Sequence, residues 1–131
     1  MSYLWVGLGS ALGGMARYGL SGVMDRGLGE TFPWGTLTVN VTGCLLIGFL
    51  AEVLGPDSRL MLPPTARQFL MIGICGGYTT FSSFGLQCVN QLRDGDWLHA
   101  GAYTFLSVVG CLLAVWLGML AATHWTQLSG R

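Results

Sequence analysis

The stretch Gly73–Gly85, with the sequence GICGGYTTFSSFG, decides how this 131-residue chain folds. It lies inside an apolar segment in which one expects an uninterrupted helix. Instead it holds a glycine pair, two threonines, two serines and two phenylalanines. Glycine weakens a helix, and backbone carbonyls freed at membrane depth need protein, water or an ion as a partner. The stretch therefore predicts a broken helix that serves a permeation pathway or an ion-binding site.

The composition around this stretch indicates a membrane protein. Hydrophobic residues make up 52% of the chain and charged residues only 9%, whereas soluble domains carry about 25% charged residues. The six basic residues balance six acidic ones, which favours neither nucleic acid nor an anionic membrane surface as a partner. Because the first apolar run lacks a basic start, we expect no signal peptide and a retained first helix.

Turn signals divide the chain into four predicted membrane spans within one domain, residues 1–131. The signals are Asp-Arg-Gly at 25–27, Gly-Pro-Asp at 55–57 and Arg-Asp-Gly-Asp at 93–96. The expected spans are residues 3–24, 34–54, 67–90 and 98–123, each of about 20 residues or more, as a bilayer requires. The sequence thus predicts an all-α membrane protein with four transmembrane helices per subunit, the third of them broken.

The loop arginines are almost evenly divided between the two sides of the predicted membrane. Arg59, Arg67 and Arg131 fall on one side, and Arg26 and Arg93 fall on the other. Cytoplasmic loops normally carry a clear excess of basic residues. So weak a bias allows insertion in both orientations, and two opposed copies could pair about a two-fold axis in the membrane plane.

Small residues and cysteines in the spans predict packing rather than chemistry. Gly9 and Gly13 form a GxxxG pattern, which lets helix backbones approach closely in lipid. The cysteines all lie in apolar segments without CxxC spacing, so we expect small buried hydrophobes and neither a disulfide framework nor a zinc site. They are Cys44, Cys75, Cys88 and Cys111.

Two polar side chains lie within the first two spans. Arg17 costs roughly 2.5–3.5 kcal/mol at mid-bilayer, so it either snorkels toward the interface or lies at a vestibule that attracts anions. Asn40 either joins helices by hydrogen bonds or lines a wet path, where its two N–H donors suit an anion. Glu52 stands at a span end, and no acidic residue occupies the centre of a span. This pattern argues against a mechanism coupled to cations or protons.

Phe81 and Phe84 share one helix face in the third span, with Ser82 and Ser83 between them. Such a pair either packs plainly or presents its positive ring edges to an anion.

Tyr103 and Ser107 lie one turn apart in the fourth span and add hydroxyl donors to one face. Together with an amide and ring edges, uncharged donors of this kind could replace part of a small anion's hydration shell while excluding cations.

These residues resemble the Fluc (CrcB) family of fluoride channels over nearly the whole chain. The resemblance rests on GGMARY at 13–18, GTLTVN at 35–40 and the stretch Gly73–Gly85. It implies an antiparallel, dual-topology homodimer with two fluoride pores, each lined by both subunits. Such a protein exports fluoride passively across the inner membrane of a prokaryote and is not an enzyme.

The resemblance also implies roles for individual residues. Phe81 and Phe84 would form an aromatic box whose ring edges face fluoride, and Asn40 would donate to the permeating ion. Tyr103 and Ser107 would belong to a polar track from the fourth span.

The resemblance further implies a sodium ion at the dimer axis, bound by backbone carbonyls of the broken helix that map to Gly76 and Thr79. A hard cation prefers such oxygen ligands. This chain departs from many relatives at Cys111, one turn after Ser107, where they carry a hydroxyl residue. A thiol is a weak donor, so the far end of the polar track is in question.

Two other functions are compatible with four spans and few charges. A small antiparallel multidrug transporter would need a glutamate embedded in the membrane, and only Glu52, near a span end, is available. A non-conducting assembly subunit, held together by its small-residue faces, leaves Asn40 and the broken third helix unexplained.

Overall fold

The computed structural model describes residues 2–29, 31–55, 60 and 62–128, and every regular element within them is a helix. The predicted spans fall on helix except at Thr79 and Thr80 in the third, and the second helix ends one residue earlier than expected. Arg59 and Arg131, used above in the charge comparison, and Pro56 and Asp57 of the second turn lie outside the described residues. In chain order the helices are α1 (Ser2–Leu28), α2 (Trp34–Val53), α3 (Pro64–Gln68), a π-helical segment (Phe69–Cys75), α4 (Gly76–Tyr78), α5 (Phe81–Arg93) and α6 (Trp97–Leu128).

Three helical stretches in the described part of the chain are long and apolar enough to cross a membrane. They are Trp34–Val53, Pro64–Arg93 and Trp97–Leu128. The helix α1 has 27 residues but does not join this set, because Arg17, Asp25, Arg26 and many glycines lower its apolar character. The chain is therefore an all-helical protein with several apolar helices of membrane-spanning length.

The helix α1 packs directly on the third helical stretch through glycines. A Cβ atom at Gly9 would stand 2.8 Å from the Gly73 Cα, and one at Gly77 would stand 2.6 Å from the Ser10 carbonyl oxygen. Gly13 makes a similar close contact, since a Cβ there would lie 2.7 Å from the Tyr78 backbone nitrogen. The close packing predicted from the GxxxG pattern is confirmed.

The helices α2 and α6 run in the same direction and touch along their length. A Cβ at Gly118 would stand 2.8 Å from the Phe49 backbone nitrogen, and one at Gly48 would overlap the Val115 carbonyl. Near the start of both helices, Phe32, Phe84 and Tyr103 form a buried cluster. A second cluster, Val53, Leu54 and Ala122, lies at their other end.

The third helical stretch is interrupted at Thr79 and Thr80, both of which have extended backbone. The sequence placed this break at the glycine pair, but Gly76 and Gly77 are still helical. The position differs because Gly77 serves the contact with α1, where any side chain would clash. The break thus comes after the glycines.

Side-chain oxygens accept hydrogen bonds from N–H groups at the N-termini of two helices. The Thr80 hydroxyl accepts a hydrogen bond from the Ser83 N–H at 3.2 Å and caps α5. At the start of α2, Asp25 Oδ1 accepts from the Gly35 N–H at 2.9 Å, although Asp25 belongs to α1. A carboxylate stabilises a helix N-terminus, so this bond ties the end of α1 to the beginning of α2.

Candidate functional site

A cavity of about 420 Å³, here called the phenylalanine cavity, lies between α2, α6 and the break in the third helix. Its wall is mostly apolar and includes Phe81 and Phe84. The polar groups on it are few: Asn40 from α2, Ser107 from α6, and Thr79 and Thr80 from the break. The structure therefore gathers side chains from three predicted spans around one space.

Asn40 holds the broken backbone by two hydrogen bonds to Thr80. Its Nδ2 donates to the Thr80 carbonyl at 2.9 Å, and its Oδ1 accepts from the Thr80 N–H at 2.8 Å. The side chain therefore joins two helices, as one sequence alternative proposed. Since the amide carries two N–H bonds and only one is used among the described residues, a second donor remains on the cavity wall.

This clasp frees the Gly76 carbonyl. In a continuous α-helix the Thr80 N–H would donate to that carbonyl four residues earlier, but here it donates to Asn40. The neighbouring Cys75 carbonyl keeps its partners, the Thr79 N–H and the Thr79 hydroxyl. Gly76 is also exposed, so its oxygen can accept from outside the helix.

Ser107 contributes a hydroxyl to the wall of this cavity. Its Oγ is buried, has no hydrogen-bond partner among the described residues, and belongs to the wall of the phenylalanine cavity. Burying a polar group without a partner is costly, so such groups often mark a place where a ligand binds.

Phe81 and Phe84 form a ring pair with very different exposure. Their centroids are 5.2 Å apart with planes inclined at 52°. In the single chain Phe84 is 7% exposed and Phe81 80% exposed. Phe84 is thus fixed by the fold, whereas Phe81 projects from it at the cavity's edge.

Arg17 lies on a second cavity, of about 270 Å³, here called the arginine cavity. Hydroxyl groups of Ser21, Thr36 and Ser83 share its wall, and Arg17 makes no ion pair within the described ranges. Thr80 lines both cavities. Among the described residues on the two walls, Arg17 is the only cation, and Thr80 connects its cavity to the phenylalanine cavity.

Tyr103 does not reach the surface of either cavity. It is fully buried, and its hydroxyl donates to Gln87 Oε1 at 2.9 Å. Its ring stands 5.2 Å from that of Phe84. In this conformation Tyr103 supports the phenylalanine pair from behind.

Sequence reasoning missed Thr80, the residue shared by both cavities. A threonine three residues before Ser83, at the start of a helix, is a capping signal and could have found it. Ser82 shares a 3.2 Å hydrogen bond with the Thr80 hydroxyl but is exposed, and it lies outside both cavities.

The described residues that line the two cavities include no carboxylate. Glu52, the residue on which a proton-coupled transporter would depend, is exposed and lies away from both. Nothing in this arrangement favours a cationic substrate.

Comparisons with known proteins find relatives that match nearly the whole chain. A family described as "CrcB-like protein, Camphor Resistance (CrcB)" matches residues 4–119. Among curated proteins, the chain is 52% identical over 128 residues to the "Fluoride-specific ion channel FluC" of Opitutus terrae, covering 98% of this chain and 97% of that protein. It is 50% identical over 130 residues to the protein of that name from Methylocella silvestris, covering 99% of each. The protein of that name from Rhodospirillum rubrum is 51% identical over 122 residues, 93% of this chain and 95% of the relative. The chain therefore belongs to the CrcB-like family.

Proposed function

We propose that this protein is a fluoride-specific ion channel, through which fluoride leaves a prokaryotic cell passively across the inner membrane. Relatives that match nearly its full length carry that name. The observation that carries the proposal is the buried Ser107 hydroxyl, which has no hydrogen-bond partner in the described part of the chain and lies in the cavity that Asn40 and the phenylalanine pair also line. Neutral donors can strip water from an anion yet release it again, which conduction requires.

Charge and position suggest an order of contacts along the path. Arg17 attracts the anion to the arginine cavity, where hydroxyl groups such as that of Ser83 begin to replace water. Thr80 leads from there into the phenylalanine cavity. In that cavity the remaining water around fluoride is replaced by three kinds of donor: the Ser107 hydroxyl, the second Asn40 N–H and the positive ring edges.

Ion flux from liposomes tests this function. Vesicles that contain the pure protein should release fluoride, measured with a fluoride electrode, and should retain chloride. Equal release of both anions, or release of neither, would contradict the proposal.

The functional unit that we infer is an antiparallel, dual-topology homodimer with four spans per subunit and two pores, each lined by both copies. The helix α1 would be the fourth span: at roughly 1.5 Å per residue its length is sufficient, and its Gly9–Gly13 face packs within the bundle. The exposed Phe81 ring and the open side of the phenylalanine cavity leave room for a second copy. The weak arginine bias is compatible with insertion in both orientations.

Orientation can be measured with a single-cysteine reporter added at the C-terminus of a cysteine-free variant. An impermeant thiol reagent applied to sealed membranes should label about half of the copies, because a two-fold axis in the membrane plane places equal numbers on each side. Labelling of all copies or of none would overturn the dual topology.

A sodium ion at the dimer axis is the cofactor that we propose, held by the carbonyls of Gly76 and Thr79. The donor set fits, since the Asn40 clasp frees the Gly76 oxygen and hard cations prefer oxygen ligands. When bound, the ion would supply positive charge that joins the two subunits. Purification in the absence of sodium should weaken dimers in detergent, and dimers of unchanged stability would contradict this role.

A further inference from the structure

Three of the four cysteines line the phenylalanine cavity, although fluoride permeation uses no thiol. Cys44, Cys75 and Cys111 stand on its wall, and all are free thiols. Cys88 lies elsewhere, with its Sγ 3.4 Å from the Thr104 hydroxyl. The cavity wall therefore carries a group of thiols that the proposed function does not explain.

Cys44 and Cys111 stand side by side because α2 and α6 run parallel in close contact. One turn further along, Gly48 and Val115 touch through their backbones. On the other side of the pair, a Cβ at Gly110 would lie 3.4 Å from Val41 Cγ2, so close contacts bracket Cys44 and Cys111 at both ends. Both residues are half-buried and both line the wall of the phenylalanine cavity.

Adjacent thiols are ligands for soft cations. Thiolates prefer ions such as Cu⁺ and other thiophilic metals, of which several accept only two sulfur ligands in a linear arrangement. Each thiol loses its proton as the sulfur–metal bond forms, so a divalent cation yields a neutral bis-thiolate and releases two protons to water. Structural zinc needs four ligands, and the described residues hold no group of three or more metal-ligating side chains.

We propose that Cys44 and Cys111 form a two-thiolate site for a soft cation of the Hg²⁺, Ag⁺ and Cu⁺ class, and that an ion bound there closes the phenylalanine cavity to fluoride. Cys111 stands one helical turn beyond Ser107 on the same wall. The bound ion therefore lies next to the Ser107 hydroxyl, which donates a hydrogen bond to fluoride in the proposed pathway. The two helices are already in close contact one turn beyond the pair, which keeps the two thiols on adjacent positions.

The flux test uses the full-length protein in liposomes, with Hg²⁺ as the probe and each variant compared with its own untreated flux. Hg²⁺ should block fluoride release through the wild type and through the control Cys88→Ser. Cys44→Ser and Cys111→Ser should each raise the concentration for half-block by about 10²-fold or more, because the second thiolate is an intramolecular ligand. Block that persists in the variant lacking both, or that depends on Cys75, would overturn the proposal.

Metal binding gives a readout that does not depend on transport, whereas the flux test rests on the proposed channel function. Purified wild-type protein and Cys88→Ser should bind Hg²⁺ tightly with a thiolate-to-metal absorption band. The variant lacking Cys44 and Cys111 should bind about one Hg²⁺ fewer per subunit, since the pair shares one ion. An unchanged stoichiometry, or tight binding at the pair without any block of flux, would contradict the proposal.

Discussion

The two halves of the broken third helix differ in what holds them. The first half, Phe69–Tyr78, packs backbone to backbone on α1 through Gly73 and Gly77. The second half, Phe81–Arg93, is held through side chains: the Thr80 cap and the buried Phe84 ring fix its start, and Gln87 accepts a hydrogen bond from Tyr103 of α6. Phe81, at the same end, remains 80% exposed.

The difference follows from the residue types in each half. One half packs on a neighbouring helix, and the other half lines a cavity. Glycines remove side chains and allow a rigid, space-filling contact with a neighbouring helix. Aromatic and hydroxyl side chains instead hold the second half away from its neighbours and leave a cavity. The Asn40 clasp lies between the halves and serves both, because it terminates the first and positions the start of the second.

Replacing Asn40 with leucine should have the largest effect on stability, since it removes both hydrogen bonds that hold the break between the two halves. Two half-buried backbone groups of Thr80 would lose their partner, at a cost of up to about 1–3 kcal/mol each. Thermal unfolding in detergent measures the loss, with Thr42→Val as the control. That variant removes the hydroxyl's bonds to Tyr78 and to the Thr38 and Val39 carbonyls, leaves the break intact, and should cost about 1 kcal/mol or less. Equal stability of the two variants would mean that the clasp does not hold the break.

Gly13→Ala should disturb the packed first half alone. The new Cβ would overlap the Ile74 carbonyl, and overpacking of this kind costs about 1–3 kcal/mol. Gly14→Ala is the matched control, because the neighbouring position has open space around it. Denaturation should separate the two, with the control neutral or more stable. If both variants unfold alike, the glycine contact is not tight.

Thr80→Val should loosen the second half alone. The substitution keeps the shape of the side chain and the backbone bonds to Asn40 but removes the α5 cap, at a cost of about 0.5–2 kcal/mol. Hydrogen exchange should increase at the start of α5, near Ser83, and stay unchanged around Gly73. Faster exchange in both halves would contradict their independence.

Phe81→Ile should have the smallest effect on stability and still impair the site. Most of the Phe81 ring is exposed in the single chain, and substitution of an exposed side chain changes stability by less than about 0.5 kcal/mol, whereas Phe84→Ile disturbs a buried cluster. Both variants should reduce fluoride flux from liposomes, because each removes a ring edge. Unchanged flux in both would remove the phenylalanines from the pathway.

The sequence alone predicted those features whose residues all lie within one span. The broken third helix, the phenylalanine pair and the polar groups Arg17 and Asn40 could be identified from spacing and membrane energetics alone. Tyr103 illustrates the limit, since only tertiary packing decides whether a tyrosine faces a cavity or lies behind Phe84.

Pairings between spans lie beyond single-sequence reasoning. Cys44 and Cys111 meet because α2 and α6 adopt a particular register, which depends on where glycines such as Gly48 allow contact. The role of the third-helix glycines was misjudged for the same reason: their function is set by α1, a partner far away in the chain.

Ser107→Ala tests most directly whether uncharged donors in the phenylalanine cavity pass fluoride. Since the hydroxyl is buried without a partner among the described residues, its removal should leave unfolding unchanged or slightly delayed. Fluoride release from liposomes should nevertheless fall by about tenfold or more, as a lost hydrogen bond to a charged group implies. Thr123→Val, on the same helix outside both cavities, should conduct normally. Wild-type flux in Ser107→Ala would contradict the account.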